Sequence, residues 1–211
     1  MNLITERYDF QLTRWPQSGR VILAQFDVDS IVVYQAYRPA IGHFAAEHGS
    51  FGGEFKMDRM SWIKPNFLWM MYRSGWGTKP GQEVTLAIRL RRSAFDEILA
   101  TAVHSSFASH AYETEESWRQ QLGSSTVRLQ WDPDHDPRGR PVECRAIQLG
   151  LRGSTLARFA REWILQIDDI SRFVAEQRLV LESGDTRGLL PPRECVFEVS
   201  DSSVAKRLGV S

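Results

Sequence analysis

Cysteine is almost absent from this sequence: Cys144 and Cys195 are the only two among 211 residues. That scarcity excludes a disulfide-stapled secreted scaffold and a zinc site built on cysteine pairs, and it predicts a reducing, cytoplasmic home. Net charge is absent as well, with 26 basic residues against 26 acidic ones. No overall positive field can therefore hold nucleic acid, and any such contact must be local. No apolar run approaches the ~18 residues of a membrane span, and no charged segment followed by an apolar stretch opens the chain, so no membrane partner is expected. Lysine is scarce too. Lys56, Lys64, Lys79 and Lys206 are the only lysines, and the other basic residues are arginines, which suit bidentate phosphate or carboxylate contacts but also follow from a GC-rich coding sequence.

The common catalytic signatures are missing. No GxGxxG or GxxxxGK[ST] turn joins a strand to a helix, which removes the two commonest nucleotide loops. His43, His48, His104, His110 and His135 show no HExxH spacing, there is no GxSxG elbow, and neither cysteine has a histidine nearby. Asp132, Asp134 and Asp136 alternate around His135, but Pro133 and Pro137 break the pattern. An EF-hand also needs a glycine and a glutamate at its twelfth position, so the run reads as a turn capped by its own aspartates and no metal is assigned. Lys56-Met57-Asp58-Arg59 departs from the KxDG motif of covalent nucleotidyltransferases, with arginine in place of glycine.

What is present suffices for one core of ordinary size, with 42% hydrophobic residues. Residues 1–19 read as a loosely ordered lead-in, 20–182 as a single α+β domain, and 183–211 as a C-terminal tail packing on it. RVILAQF and IVVYQAY around the Asp27–Ser30 turn read as a hairpin. A short helix stops at Gly49, a short strand covers 57–63, and a helix of about ten residues starts at Pro65 and ends at Gly75. Phe67 to Tyr72 leave that helix without a polar face, so it is expected to be buried on most sides. A strand from Val84, a helix with Phe95, Ile98, Leu99 and Ala102 on one stripe, and strands at Val127 and Glu143 follow. The prolines and aspartates between these last two forbid regular structure. A helix capped by Ser154, a strand at ILQIDDI and another at CVFEV complete the reading. Local hairpins with helices inserted singly predict a largely antiparallel, strongly curved sheet.

The candidate site gathers where polar side chains interrupt apolar elements. Lys64 precedes the helix at Pro65 and Asn66 lies in its first turn, so the lysine, the exposed N–H groups and the helix dipole favour an anion there. In an extended segment Met60, Trp62 and Lys64 share one face and Arg59, Ser61 and Ile63 the other. Tyr34, Gln35, Tyr37 and Arg38 interrupt one strand, and Gln130, Arg145 and Gln148 later ones. Such groups are costly to bury unless paired, so they either line a ligand pocket or form an internal polar network.

VYQAY at Val33, RMSWIKPNFLWMMYRSGW at Arg59, LQWDPD at Leu129 and RAIQLGL at Arg145 together resemble the family known as domain of unknown function 4291, over about residues 20–170. The resemblance implies a shared site on Tyr34, Gln35, Arg59, Trp62, Lys64, Arg73, Lys79, Gln130, Asp132, Arg145 and Gln148. A fainter likeness to ADP-ribosyltransferases follows Tyr34-Gln35, Ser61-Trp62 and Glu162 in order. It implies NAD as cofactor, Glu162 as the catalytic acid that steadies an oxocarbenium-like transition state, and arginines and lysines on the pyrophosphate. The functional expectation is a nucleotide- or phosphate-binding enzyme, possible partners being a nucleotide or phosphorylated small molecule. The alternatives are a non-catalytic RNA or modified-nucleotide binding module that stacks bases on Trp62, Trp69 and Trp76, and a structural protein without a sizeable pocket.

Overall fold

The computed structural model describes residues 3–184 and 186–210, among which lie ten strands and eight α-helices. Strands β1 (Gly19–Arg20), β8 (Pro141–Leu151), β7 (Val127–His135) and β6 (Val103–His104) form one sheet in that order, with β4 (Ser61–Ile63) also on β8. Strands β3 (Ser30–Tyr37), β5 (Val84–Arg91) and β9 (Ile164–Asp169) form a second, and β2 (Leu23–Ala24) pairs with β10 (Cys195–Val196). The two larger sheets meet at a single bridge, where the Tyr34 N–H donates to the Lys64 carbonyl at 2.7 Å and the Lys64 N–H to the Tyr34 carbonyl at 3.2 Å. The result is one curled path, β9-β5-β3-β4-β8-β7-β6. Only β1 with β8 and β6 with β7 run parallel. The α+β class and the largely antiparallel curved sheet expected from the sequence are what the chain adopts.

β3 reads as an unbroken apolar run because both of its faces are covered. Ile31 and Val33 join the main core with Leu86, Ile88, Leu129, Ile147 and Phe95. Val32 and Tyr34 face a second cluster made by Phe67, Leu68, Met70 and Met71 of α3 (Phe67–Ser74) and Val174 of α7 (Ser171–Glu182). The remaining helices are α1 (Tyr8–Leu12), α2 (Pro39–His48), α4 (Arg92–Thr101), α5 (Glu115–Ser124), α6 (Gly153–Arg158), which runs into one wide turn at Phe159–Trp163, and α8 (Ser202–Leu208). α2 ends at Gly49 and α3 at Gly75, both left-handed, as their glycines require.

Several expectations need correction. The Asp27 turn forms, its Oδ1 accepting from the Asp29 and Ser30 amides, but β2 pairs with β10 and β3 with β5, so the hairpin shrinks to the bridge between Phe26 and Ile31. From residue 3 onward the lead-in is not loose. The α1 residue Gln11 is fully buried and its side-chain amide donates to the Pro192 carbonyl at 3.1 Å, tying the start of the chain to its tail. β7 continues through Pro133 to His135, because Asp136 closes the turn beyond by accepting from the Arg138 and Arg140 amides. α6 begins after Arg152 without a side-chain cap, so Ser154 is not its cap. The helix at Pro65 starts two residues later and spans eight residues, with Asn66 as its cap.

Candidate functional site

The bridge between the sheets puts Lys64 at their seam. Its backbone is held by Tyr34, while the alternation along the segment sends Ile63 into the core and turns Trp62 and Lys64 to the opposite face. Trp62 lies across Gly150, its cross-strand partner on β8. A Cβ at Gly150 would stand 3.0 Å from the indole and 2.6 Å from the Met60 sulfur, so glycine is what lets the ring lie there.

Trp62 and Lys64 form the wall between two cavities. The first, of about 330 Å³, is also lined by Trp69, Arg73, Gln130, Asp132 and Gln148. Gln130 and Gln148 are directly paired across β7 and β8. Their side-chain amides donate to the two oxygens of Asp132 at 2.8 and 2.7 Å, which fixes the carboxylate between them. The second cavity, of about 500 Å³, brings in Gln35, Arg38, Lys56, Arg59, Ser61 and Tyr37 among others. Ser61 Oγ accepts from Gln35 Nε2 at 2.7 Å and lies 2.6 Å from the Tyr37 hydroxyl. Gln35 Nε2 also donates to the Trp62 carbonyl at 3.1 Å, which settles the amide's orientation and leaves its Oε1 buried without a donor.

Lys64 is only 7% exposed. Among the described residues its ammonium makes no hydrogen bond or ion pair. Burial, and secondarily the positive charge of Arg73, lower its pKa to about 8, against the pull of Asp132. A buried cation without a partner is costly, and this one faces two cavities.

The start of α3 is where the sequence suggested a ligand anion, and the structure corrects this. The group there is internal: the carboxyl of Glu194, from the tail, accepts from the Phe67 amide at 2.7 Å. The Asn66 side chain caps the Trp69 amide at 2.7 Å and donates to the buried Asp134. Burial pushes Glu194 well above the usual carboxylate range and Asp134 up to about 6.

The predicted site residues thus divide. Trp62, Lys64, Arg73, Gln130, Asp132 and Gln148 share one cavity, and Gln35, Arg38 and Arg59 lie in the adjoining one, where Arg38 pairs with Glu54. Arg145 lines a third cavity. Tyr34 is fully buried against Phe67 and lines none of them. Lys79 caps the end of α3, its ammonium donating to the Arg73 carbonyl at 2.8 Å. Glu162 lies in the wide turn after α6 with a side chain 64% exposed, 3.8 Å from Arg158, and lines none of the cavities. Trp69 is 4% exposed and Trp76 donates its indole N–H to the Pro137 carbonyl, so neither is an open stacking surface. Sequence reasoning missed Lys56 as a lining residue, because the strand expected over 57–63 forms only at Ser61–Ile63 and the turns before it bring Lys56 to the cavity. It also missed Glu194, for which no local signal exists, and read Asp134 as part of a turn rather than as a buried partner of Asn66.

A single-domain α+β protein with a buried lysine at the seam of a curled sheet is the class these features define. The chain belongs to the family described as Domain of unknown function (DUF4291), which matches residues 21–197. No curated protein matches it significantly. Among the described residues no cluster of metal-ligating side chains is found, and no helix is long and apolar enough to cross a membrane.

Proposed function

We propose that the protein is an enzyme acting on a phosphorylated, nucleotide-type ligand held against Trp62 and Lys64. The observation that carries this reading is Lys64, a lysine only 7% exposed whose ammonium, in the wall of two polar cavities, has no partner among the described residues. A phosphate supplies the missing counter-charge, with Arg73 and Arg59 beside it and the half-buried Trp62 indole offering a face to a base. In that arrangement Lys64 stabilises charge developing on a phosphoryl or pyrophosphoryl group, and Asp132, oriented by two amides, is the carboxylate at hand for proton transfer. ADP-ribosyl transfer from NAD is the narrower form of this reading. It requires an acid in the cavity, a role that Asp132 rather than the solvent-facing Glu162 could fill. The alternative of a non-catalytic module that stacks bases on Trp69 and Trp76 loses support from the burial of the first and the tied indole of the second.

The test is thermal unfolding with NAD, ADP-ribose, ATP, GTP and inorganic pyrophosphate, on the wild type and on Lys64→Met. A ligand bound only by the folded state raises the midpoint, by about 2.7 kcal/mol of stability at a hundredfold excess over Kd. The expected result is a shift in the wild type that the methionine variant lacks while remaining folded. An equal shift in both proteins, or none with any compound at millimolar concentration, would refute the proposal.

A further inference from the structure

The third cavity, of about 650 Å³, lies where β6 ends and leaves the edge of β7 open. It is lined by Arg20, Arg145, His104 and His110, by three serines of the 105–109 loop, by Phe107 and Trp131, and, among the described residues, by no carboxylate. Gln130 belongs to its wall and also to that of the Lys64 cavity. Trp62 and Lys64 in turn are shared between the Lys64 cavity and the 500 Å³ one. The three chambers thus share wall residues in turn, with the Lys64 cavity on the Gln148 face of the sheet and the third on the Trp131 and Arg145 face, around the edge of β7.

Each chamber brings cations and an aromatic ring together, the first two also holding one carboxylate each, Glu54 paired with Arg38 and Asp132 held by two amides. The first chamber has Lys56 and Arg59 with Phe55, the seam has Lys64 and Arg73 with Trp62, and the third has Arg20 and Arg145 with Phe107. Phe107 is a large apolar side chain left 41% exposed in a loop otherwise rich in serine. Together the chambers exceed the ~300–1,000 Å³ that one drug-sized ligand fills. From β4 to the open edge of β7 the path crosses two strand spacings, roughly 10 Å. From this arrangement we infer that the ligand is a single-stranded nucleic acid, its backbone passing from the Lys64 seam over the edge of β7 so that a second phosphate meets Arg145 and a base meets Phe107. Positive side chains that track a backbone, interleaved with rings that accept any base, are how such strands are held. With zero net charge, attraction of the strand depends on local groups such as these.

This inference rests on the phosphate-binding role of Lys64, and the experiment separates the two. Binding of 5′-labelled single-stranded RNA and DNA of two to ten nucleotides is measured by fluorescence anisotropy, alongside unlabelled mononucleotides as competitors, for wild type, Lys64→Met, Arg145→Ala and Phe107→Ala. Affinity is expected to rise at least tenfold from mononucleotide to the length that fills the chambers and then to level off. Lys64→Met should weaken ligands of every length, whereas Arg145→Ala and Phe107→Ala should abolish the gain with length. Arg145→Ala should also reduce the slope of log affinity against log salt by about 0.7, the value for one lost phosphate contact on a single strand. Oligonucleotides that bind no better than mononucleotides, or a length dependence that survives both third-chamber variants, would overturn the strand while leaving the mononucleotide site intact. Binding of every length indifferent to Lys64→Met would sink both readings.

Discussion

At the residue scale, Lys64 is a position where stability and function oppose one another. The fall of its pKa from 10.5 to about 8 corresponds to a penalty on the order of 3 kcal/mol while the lysine is charged, at ~1.36 kcal/mol for each pH unit. Between pH 8 and 10.5 the unfolded chain holds a proton there that the folded chain has released, so this residue makes stability rise with pH across that window. Below pH 8 both states carry the charge and the full penalty stands. Lys64→Met keeps the apolar stem and removes the charge, and is expected to stabilise the protein by roughly 1–3 kcal/mol at pH 7 and to remove the alkaline rise. Urea unfolding at pH 7, 8.5 and 10 measures both, and a less stable methionine variant would mean that the ammonium has an internal partner. Gly150→Ala tests the neighbour: with the Trp62 ring 3.0 Å from the new Cβ, the variant should lose roughly 1–3 kcal/mol and change the tryptophan emission. Unaltered stability and emission would show that Trp62 does not depend on the glycine. The seam lysine was legible because lysines are few and this one breaks an apolar run. That its ammonium faces two cavities was not, because it depends on which strands meet.

At the scale of elements, what could be read was what carries its own punctuation. Pro39 and Gly49 bracket α2, Gly75 ends α3, and the β7–β8 pair shows alternation on both sides of its turn. α5 was illegible because none of its residues is buried, so no apolar stripe marks it, although Thr114 caps it and Glu115 and Glu116 fill its first turn. β3 was paired wrongly because its true partner, β5, is some fifty residues further along and only the local turn is visible in the sequence. The most consequential hidden contact is Glu194 on the first turn of α3, a side chain 127 positions away from the amide that it accepts from. Its carboxyl is raised well above 4.5 by burial, with Asp134 adding repulsion. A raised folded pKa means that the native state holds the proton longer than the unfolded chain, so stability is greatest in acid and falls as pH rises above about 4.5. Glu194→Gln keeps an acceptor for the Phe67 amide and cannot ionise. It should flatten that fall, as followed by urea unfolding between pH 4.5 and 7.5, while Glu194→Ala should cost roughly 1–3 kcal/mol by leaving the amide unsatisfied. A glutamine variant with the wild-type pH dependence would transfer the effect to Asp134, whose pKa of about 6 confines its own contribution to pH 4–6.

At the scale of the whole molecule, the two ends of the chain are structural parts of the domain that holds the site. The sequence suggested a unit complete at residue 182, with a tail packed on its outside. Yet Phe197 and Leu208 are fully buried in the main core, β10 completes a pair with β2, and Glu194 holds the helix behind the cavities. Gln11 and Trp15 clamp this tail from the other end: the Glu194 amide donates to Gln11 Oε1 at 2.8 Å, and the Trp15 indole donates to the Glu194 carbonyl at 2.9 Å. Burying Phe197 and Leu208 is worth about 1.5–3 kcal/mol each, and Glu194 and the β10 pairing add to that. The total is a large part of the ~5–15 kcal/mol by which a domain of this kind is stable. A chain ending at Glu182 should therefore fail to unfold cooperatively in calorimetry and should lose the ligand-induced shift, because α3 and the Lys64 seam that it backs no longer have a fixed position. Restoring residues 183–210 as a separate peptide should recover part of both signals if the tail supplies only packing and the cap. A cooperative transition near the full-length midpoint in the shortened chain would instead confirm residue 182 as the boundary of an autonomous domain.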